Sequence, residues 1–201
     1  SGLLRLPEVS EVVSTLSLLH DLTANADLLN LLTGPRWAIG PRDLALLGRR
    51  ARELAGEAGR ASGDLDLHES LQAAVAGADP TEVVALSDAL GDPGDLPYSP
   101  AARERFALLA RELRYLRAHT GETLLDLVRR IIDTCGIDVE LDASVSPAAR
   151  ARRENLDLFV KAVAEFQSID GSVTLPALLA YLTAEDELGG LRLPAGGCGE
   201  L

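Results

Sequence analysis

The sequence predicts an all-α protein, and three features indicate this class. The chain of 201 residues is 47% hydrophobic but only 3% aromatic, and Leu and Ala supply most of its apolar residues. Strand-forming β-branched and aromatic residues are therefore sparse. Proline stands at the beginning of several stretches with helical periodicity, at a position where its missing N–H costs no hydrogen bond. We expect an irregular helical bundle, with one subdomain over residues 1–188 and a flexible Gly-rich tail over 189–201.

Three helices are predicted in the first third of the chain. Pro7 opens the first helix, and a second, short helix over 27–32 ends at Gly34-Pro35. A third begins at Pro41 and reaches about residue 58, because the small and acidic residues of 59–66 interrupt its pattern. The apolar stripe of the first helix consists of Val9, Val12, Val13, Leu16 and Leu19.

The middle of the chain contains more helix-breaking and turn-forming residues. Short helices are predicted over 67–76 and 80–90, and the Gly- and Pro-rich residues 91–97 are typical of a mobile loop. Ser99-Pro100 combines a helix cap with a favourable first helical residue. The helix that it opens has apolar residues spaced 3, 4 and 3 apart, which is typical of a bundle seam: Phe106, Leu109, Leu113 and Leu116.

The last third follows the same rules. Thr120-Gly121 ends one helix, and Thr120 is a candidate cap for the next, which Gly136 terminates. Residues 137–141 are the one stretch that favours an extended conformation. Ser146-Pro147 then opens a long helix, and 174–188 form the last one.

The charge of the chain is strongly acidic but unevenly distributed. The formal net charge is −12, yet residues 36–60 carry six Arg and three acidic residues, and 99–120 carry five Arg and two. Residues 61–98 carry eight acidic residues and no Lys or Arg. A local basic face can still contact phosphates, but long-range attraction of nucleic acid should be poor and binding should weaken strongly with salt.

One stretch, Leu31 to Leu44, carries the pattern of an anion-binding site. A helix ends at Gly34-Pro35, a tight loop carries the only Trp, and a new helix begins at Pro41 directly after Gly40. The first amides of a helix are unpaired, and the helix dipole favours negative charge beside them. On the new helix, four arginines are predicted on the face opposite to its apolar stripe: Arg42, Arg49, Arg50 and Arg52. An ordinary helix start with a solvated Arg face is the alternative interpretation.

The residues needed for common catalytic chemistry do not occur together. An ATP-binding phosphate loop needs a Lys after a Gly-rich turn, whereas Lys161, the only lysine, lies inside a predicted helix. His20, His68 and His119 have no second ligand at metal-binding spacing, and Cys135 and Cys198 do not form a metal or disulfide framework. We therefore expect no catalytic residue, no metal ligand and no cofactor in this chain. With no apolar run long enough to span a membrane and no signal-peptide pattern, we expect a cytoplasmic protein that does not bind membranes.

Over about residues 3–188 the order of these motifs resembles a known family. A helix follows Pro7-Glu8-Val9, a Gly-Pro-Arg-x-x-Ile-Gly hairpin covers 34–40, and Arg153-Glu154-Asn155-Leu156 lies in a long helix. The last helix carries Leu175-Pro176 and ends near Leu188. The succession of motifs is similar to that of the 2B subdomain of UvrD/Rep/PcrA-type superfamily 1 DNA helicases. In the general character of its sequence the chain is similar to actinobacterial members, including those of the AdnA/AdnB type.

The resemblance implies a helix–hairpin–helix-like motif that contacts duplex DNA ahead of the fork. The residues that it implies for contact with the DNA backbone are Arg36, Trp37, Ile39, Gly40, Arg42 and Arg49. Ala38 stands where the family usually has glycine, and its side chain disfavours both a positive φ and a close approach of a phosphate there. For Trp37, packing in the core is the alternative to a contact with a sugar.

The resemblance further implies that the chain is an accessory part of a larger ATP-dependent DNA helicase acting in repair or recombination. ATP and Mg²⁺ would bind to the rest of the parent protein, and double-stranded DNA or a duplex–single-strand junction and the parent's motor would be the partners. Two alternatives remain. The chain is an acidic protein-interaction or autoinhibitory module that uses 61–98, or it is a stand-alone helical regulator.

Overall fold

The computed structural model describes residues 2–61, 84–136, 146–169 and 173–188, and all regular elements in these ranges are helical. A short 3-10 helix, Leu3–Arg5, precedes eight α-helices: α1 (Pro7–His20), α2 (Asn25–Thr33), α3 (Pro41–Ala61), α4 (Leu86–Gly91), α5 (Pro100–Arg117), α6 (Leu124–Cys135), α7 (Pro147–Ile169) and α8 (Leu175–Leu188). This confirms the predicted all-α class. Among the described residues, no helix has the length and apolar character that a membrane span requires.

Several predicted elements lie partly or wholly outside the described residues. They are the helix over 67–76, the extended stretch 137–141 and the tail 189–201. The predicted helix over 80–90 is described only from residue 84 onward, where the helical part is Leu86–Gly91.

The helix starts read from Ser-Pro pairs are confirmed. The Ser99 hydroxyl accepts a hydrogen bond from the Ala102 amide at 3.1 Å, and Pro100 is the first residue of α5. The Ser146 hydroxyl accepts one from the Ala149 amide at 3.1 Å at the start of α7. Each serine thereby satisfies one of the amides that a helix N-terminus leaves unpaired.

The cap predicted for α6 was wrong by three residues. Thr123 is the residue whose side chain caps α6, accepting from the Asp126 amide at 3.3 Å. The Thr120 hydroxyl instead donates to the Arg117 carbonyl at 3.0 Å and so belongs to the preceding turn. Gly136 ends α6 as predicted, in the left-handed conformation with φ of 68°.

The chain divides into two compact units. Unit 1 comprises Ser1–His20 together with Tyr115–Leu201, and unit 2 comprises Asp21–Arg114. Unit 2 is thus continuous in sequence, whereas unit 1 is assembled from two separated segments. This division is finer than the single subdomain expected from the sequence.

The core of unit 1 is built mainly from α1, α6, α7 and α8. Among its buried members, Val9, Val12, Val128, Phe159 and Leu178 have no measurable exposure. Leu3 of the 3-10 helix is buried in the same cluster, against which Leu4 also packs. The first described turn of the chain therefore lies against α8, the last described helix.

The core of unit 2 is formed by α2, the following hairpin, α3, α4 and α5. Its most deeply buried side chains are Leu28, Leu32, Leu47, Leu90 and Phe106. The turn 91–97, which we expected to form a mobile loop, is held at three points. Tyr98 donates its hydroxyl to the Pro93 carbonyl at 2.9 Å, and Arg103 donates to the Leu96 carbonyl at 2.6 Å. The third point is the Asp92 carbonyl, which accepts from Arg50 Nε at 3.0 Å.

Candidate nucleic-acid interface

The hairpin between α2 and α3 is a compact turn closed by main-chain hydrogen bonds. The Ala38 amide donates to the Gly34 carbonyl at 2.9 Å, and the Ile39 amide donates to the Leu32 carbonyl at 2.8 Å. These bonds return the chain to the end of α2 before α3 begins. The helix–hairpin–helix interpretation of this segment stays a prediction, and its local geometry is that of a tight turn between two helices.

Ala38 occupies a backbone conformation that normally belongs to glycine. Its φ is +47°, the one positive φ found among the non-glycine residues that the structure describes. A side chain in the left-handed region brings Cβ close to the next carbonyl oxygen and costs about 1–2 kcal/mol. The Ala38 methyl therefore did not prevent the positive φ that the resemblance requires at this position. The Ala38 side chain is exposed, so packing of the methyl group does not offset this strain.

Gly40 and the first turn of α3 lie at the surface. Gly40 is exposed, and a Cβ added there would meet no atom within 4 Å. The Gly40 carbonyl accepts from the Leu44 amide at 3.1 Å, which is the first hydrogen bond of α3. Among the described residues, no acceptor is found for the amides of Arg42 and Asp43. This turn thus offers two unpaired donors at the positive end of the helix dipole.

Asp43 does not cap these amides, because its carboxylate is engaged elsewhere in unit 2. Its two oxygens accept from the amide and the hydroxyl of Ser99, each at 2.9 Å. These bonds link the start of α3 to the start of α5. They also direct the acidic group of the first turn toward Ser99, where two donors compensate its charge.

Arg36, which the sequence predicted as a DNA contact, is an internal contact of unit 2. Its guanidinium forms an ion pair with Glu112 of α5 and lies over the Trp37 ring, 4.6 Å from the ring centroid. Only 27% of the Arg36 side chain is exposed. A DNA contact of Arg36 stays a prediction: in this structure its charge is paired with the Glu112 carboxylate, which a phosphate would have to displace.

The side chains of Trp37 and Ile39, two further predicted contacts, belong to the core. They are 4% and 6% exposed, so these side chains offer almost no surface to a sugar or a phosphate. The Trp37 carbonyl accepts from Arg105 of α5 at 3.1 Å, and the Ala38 carbonyl lies 3.4 Å from the same nitrogen. For Trp37 the core interpretation was the right one.

Arg42 and Arg49 keep the exposed positions that the sequence predicted. Arg42 is exposed, and no carboxylate of the described residues pairs with it. The Arg49 side chain is 62% exposed, and its contact with Glu53, at 3.4 Å on the next turn, is of the kind that contributes little in water. Seven residues apart on α3, the two arginines share one face and are separated by about 10 Å along the axis.

Arg50 does not belong to the exposed Arg face. Its side chain is 16% exposed and donates to the Asp92 carboxylate at 3.0 Å. Hydrogen bonding to Asp92 is the largest cause that raises the pKa of Arg50 above its ordinary value. Arg52 is exposed, as predicted. The accessible part of the predicted site therefore consists of Gly40, Arg42 and Arg49.

Two residues that position the hairpin were missed at the sequence level. Arg105 and Glu112 lie seven residues apart on one face of α5, and they hold the hairpin through its carbonyls and through Arg36. Their shared helical face was the available signal. The chain separation of more than 65 residues from their partners gave no indication of what they would contact.

Two other predictions concern metal binding and the acidic segment 61–98. Within the described ranges, no group of three or more His, Cys, Asp or Glu side chains is arranged to hold a metal ion. The acidic segment 61–98, on which the protein-interaction alternative depends, is described only at residue 61 and over 84–98. Comparison of the sequence with models of protein families gives no match, and comparison with curated proteins gives none either.

Proposed function

We propose that the chain is an accessory helical module of an ATP-dependent DNA helicase, and that the turn Gly40–Arg42 holds the backbone of duplex DNA. The observation that carries the proposal is the exposed start of α3, where, among the residues that the structure describes, the Arg42 and Asp43 amides have no acceptor and no side chain covers Gly40. A helix N-terminus of this kind suits a phosphate oxygen, because amide donors and the dipole act on it together. The part of the proposal that concerns a parent helicase rests on the family resemblance.

The binding would be independent of DNA sequence. Amides and guanidiniums contact phosphates, which are the same at every base pair, and the deeply buried Trp37 and Ile39 offer no side chain for reading bases. Arg42 and Arg49 would contact phosphates at separate positions along the backbone. The contacts of Arg105 and Glu112 would keep the turn rigid, so that little conformational entropy is lost on binding.

The arrangement of unit 1 supports insertion of the module into a larger protein. Leu3 and Leu4, from the first described turn, pack in the same cluster as Leu178 and Leu182 of α8. An inserted module needs its entering and leaving segments side by side, whereas a free-standing domain does not. ATP and Mg²⁺ would bind to the motor of the parent, and the proposal assigns no step of ATP hydrolysis to this chain.

The test is binding of a fluorescent duplex–single-strand junction, measured by anisotropy at several salt concentrations. The variant Arg42→Glu/Arg49→Glu should weaken binding by at least about tenfold at low salt. If each arginine neutralises one phosphate, the slope of log K against log salt should also fall by roughly 1.8. Because the net charge of −12 opposes association, the measurement should begin at low ionic strength.

A matched charge reversal in unit 1 serves as the control. Arg129 and Arg152 are both exposed, so Arg129→Glu/Arg152→Glu changes the net charge by the same amount at a distance in sequence from the hairpin. This control should bind the junction far better than Arg42→Glu/Arg49→Glu. Equal losses in both variants would mean that only the total charge matters, and the DNA-binding role of the hairpin would have to be abandoned.

A further inference from the structure

Unit 2 contains a second surface feature, a groove of about 400 Å³ between α5 and the C-terminal end of α4 with the turn that follows it. Leu90 and Pro93 form one side, and Ala107 and Ala110 form the other. Most of the lining surface is apolar, and in the described ranges no aromatic side chain contributes to it. Two alanines three residues apart leave room for another backbone to approach α5 closely.

Three arginines of α5 border this apolar floor. Arg103, Arg111 and Arg114 all line the groove, and none of the other described residues that line it is acidic. Arg103 is fixed, because it donates to the Leu96 carbonyl and lies 5.0 Å from the Tyr98 ring centroid. Arg111 and Arg114 are exposed, and in the part of the chain that the structure describes neither is paired with a carboxylate.

We propose that this groove binds an acidic amphipathic helix of a partner protein. Aliphatic side chains of the partner would cover the accessible apolar surface of Pro93, Ala107 and Ala110, and its carboxylates would pair with Arg111 and Arg114. The stripe from Arg103 to Arg114 extends about 16 Å along α5, which matches about three turns of a partner helix.

The composition of the groove favours a peptide over single-stranded nucleic acid. Proteins that bind single strands provide aromatic side chains on which bases stack, and this groove is lined by aliphatic ones. Leucine-type side chains bury well on such a floor, whereas bases would gain little stacking energy. The arginines then supply complementary charge and orientation rather than most of the affinity.

The groove is separate from the hairpin that we propose for DNA. The hairpin is held by Arg105 and Glu112, and these residues lie on a different face of α5 from Ala107, Ala110 and Arg114. The inference therefore does not depend on the DNA-binding proposal, and variants of one surface can be compared with variants of the other.

The experiment uses the full chain and a fluorescent designed peptide with Leu on one helical face and Glu on the other positions. Anisotropy titration should give saturable binding to the wild type. Arg111→Glu/Arg114→Glu should weaken it by about tenfold or more, because two ion pairs become repulsions. Ala107→Trp, which fills the floor without changing charge, should weaken it as well, and circular dichroism of each variant shows that the helices are retained.

Controls distinguish the groove from general charge effects. Binding should be unchanged in Arg42→Glu/Arg49→Glu, and a Lys version of the peptide should not bind. The inference is overturned if the Leu/Glu peptide does not bind to the wild type, or if all variants bind it equally. It is also overturned if a thymidine oligonucleotide, and not the peptide, loses affinity in Arg111→Glu/Arg114→Glu.

Discussion

At the scale of single residues, Ala38 shows that the hairpin forms at the expense of local backbone strain. Its φ of +47° is a conformation that glycine adopts readily and alanine adopts only under strain. The bonds of the Ala38 and Ile39 amides, and the contact of Arg105 with the hairpin carbonyls, hold this residue in place. The strain lies two residues before Gly40, so it is part of the turn that presents the start of α3.

Replacing Ala38 with glycine should therefore stabilise the protein. We expect Ala38→Gly to raise the free energy of unfolding by about 0.5–1 kcal/mol, because relief of the left-handed strain exceeds the extra entropy of glycine in the unfolded chain. The same change at Ala45, exposed within α3, should lower it by about 1 kcal/mol. Urea unfolding of both variants checks the opposite signs; a loss of stability in both would show that residue 38 is not left-handed.

Tyr98 should make the stability of the protein depend on pH in the alkaline range. Its hydroxyl is buried and donates to the Pro93 carbonyl, and burial is the largest cause that raises the pKa of Tyr98 above its ordinary value of 10.0. Because the pKa of Tyr98 is raised in the folded state, the contribution of its protonated hydroxyl to stability is complete below the pKa of the unfolded state. This contribution is lost as the pH rises through the pKa of the folded state. Tyr98→Phe should cost about 1 kcal/mol at neutral pH and remove this loss above about pH 10. If the free energy of unfolding changes equally with pH in the variant and the wild type from neutral to alkaline pH, this prediction is contradicted.

At the scale of elements, helix starts were accessible to sequence reasoning, whereas contacts between helices were not. Pro41, Ser99 and Ser146 act within their own first turn, so their patterns predicted α3, α5 and α7 correctly. Arg36 and Arg50 act across 76 and 42 residues of chain. Both looked like solvated charges on local evidence, and only the folded arrangement brings Glu112 and Asp92 to them.

The contact between the hairpin and α5 gives a quantitative test of the role of Arg36. A double-mutant cycle on Arg36→Ala and Glu112→Ala should show a coupling of about 0.5–1 kcal/mol in the free energy of unfolding, because the pair is only partly exposed. Arg36→Ala should at the same time reduce affinity for the junction less than Arg42→Glu does. Additive effects of the two alanine changes, with a large loss of DNA affinity for Arg36→Ala, would restore Arg36 as a DNA contact.

At the scale of the whole molecule, the order of segments along the chain differs between the two units. Unit 2 is one uninterrupted stretch, whereas unit 1 needs both Ser1–His20 and the chain from Tyr115 onward. Helical periodicity does not reveal this division, because α1 has the same kind of apolar stripe as any other helix. Val9 and Val12 share one buried cluster with residues more than 100 positions further along the chain, among them Val128 and Phe159.

This asymmetry predicts how fragments of the chain behave. A fragment over 21–117 should fold cooperatively, because the core around Leu28, Leu32, Leu47 and Phe106 is contained in it. A fragment over 115–201 should not, since it lacks the fully buried Val9, Val12 and Leu16 of α1, and each such side chain contributes about 1.5–3 kcal/mol. That loss is comparable to the whole stability of a small domain.

Adding a synthetic peptide over 1–20 should then restore the missing part of unit 1. Thermal unfolding followed by circular dichroism should show a cooperative transition for 115–201 only when the peptide is present, and a peptide carrying Val12→Asp should fail to produce it. Val12 is fully buried in the cluster, so an unpaired carboxylate there would be too costly to bury. A cooperative transition of 115–201 without the peptide would mean that α1 is dispensable, and that the division of the chain into these two units does not govern its folding.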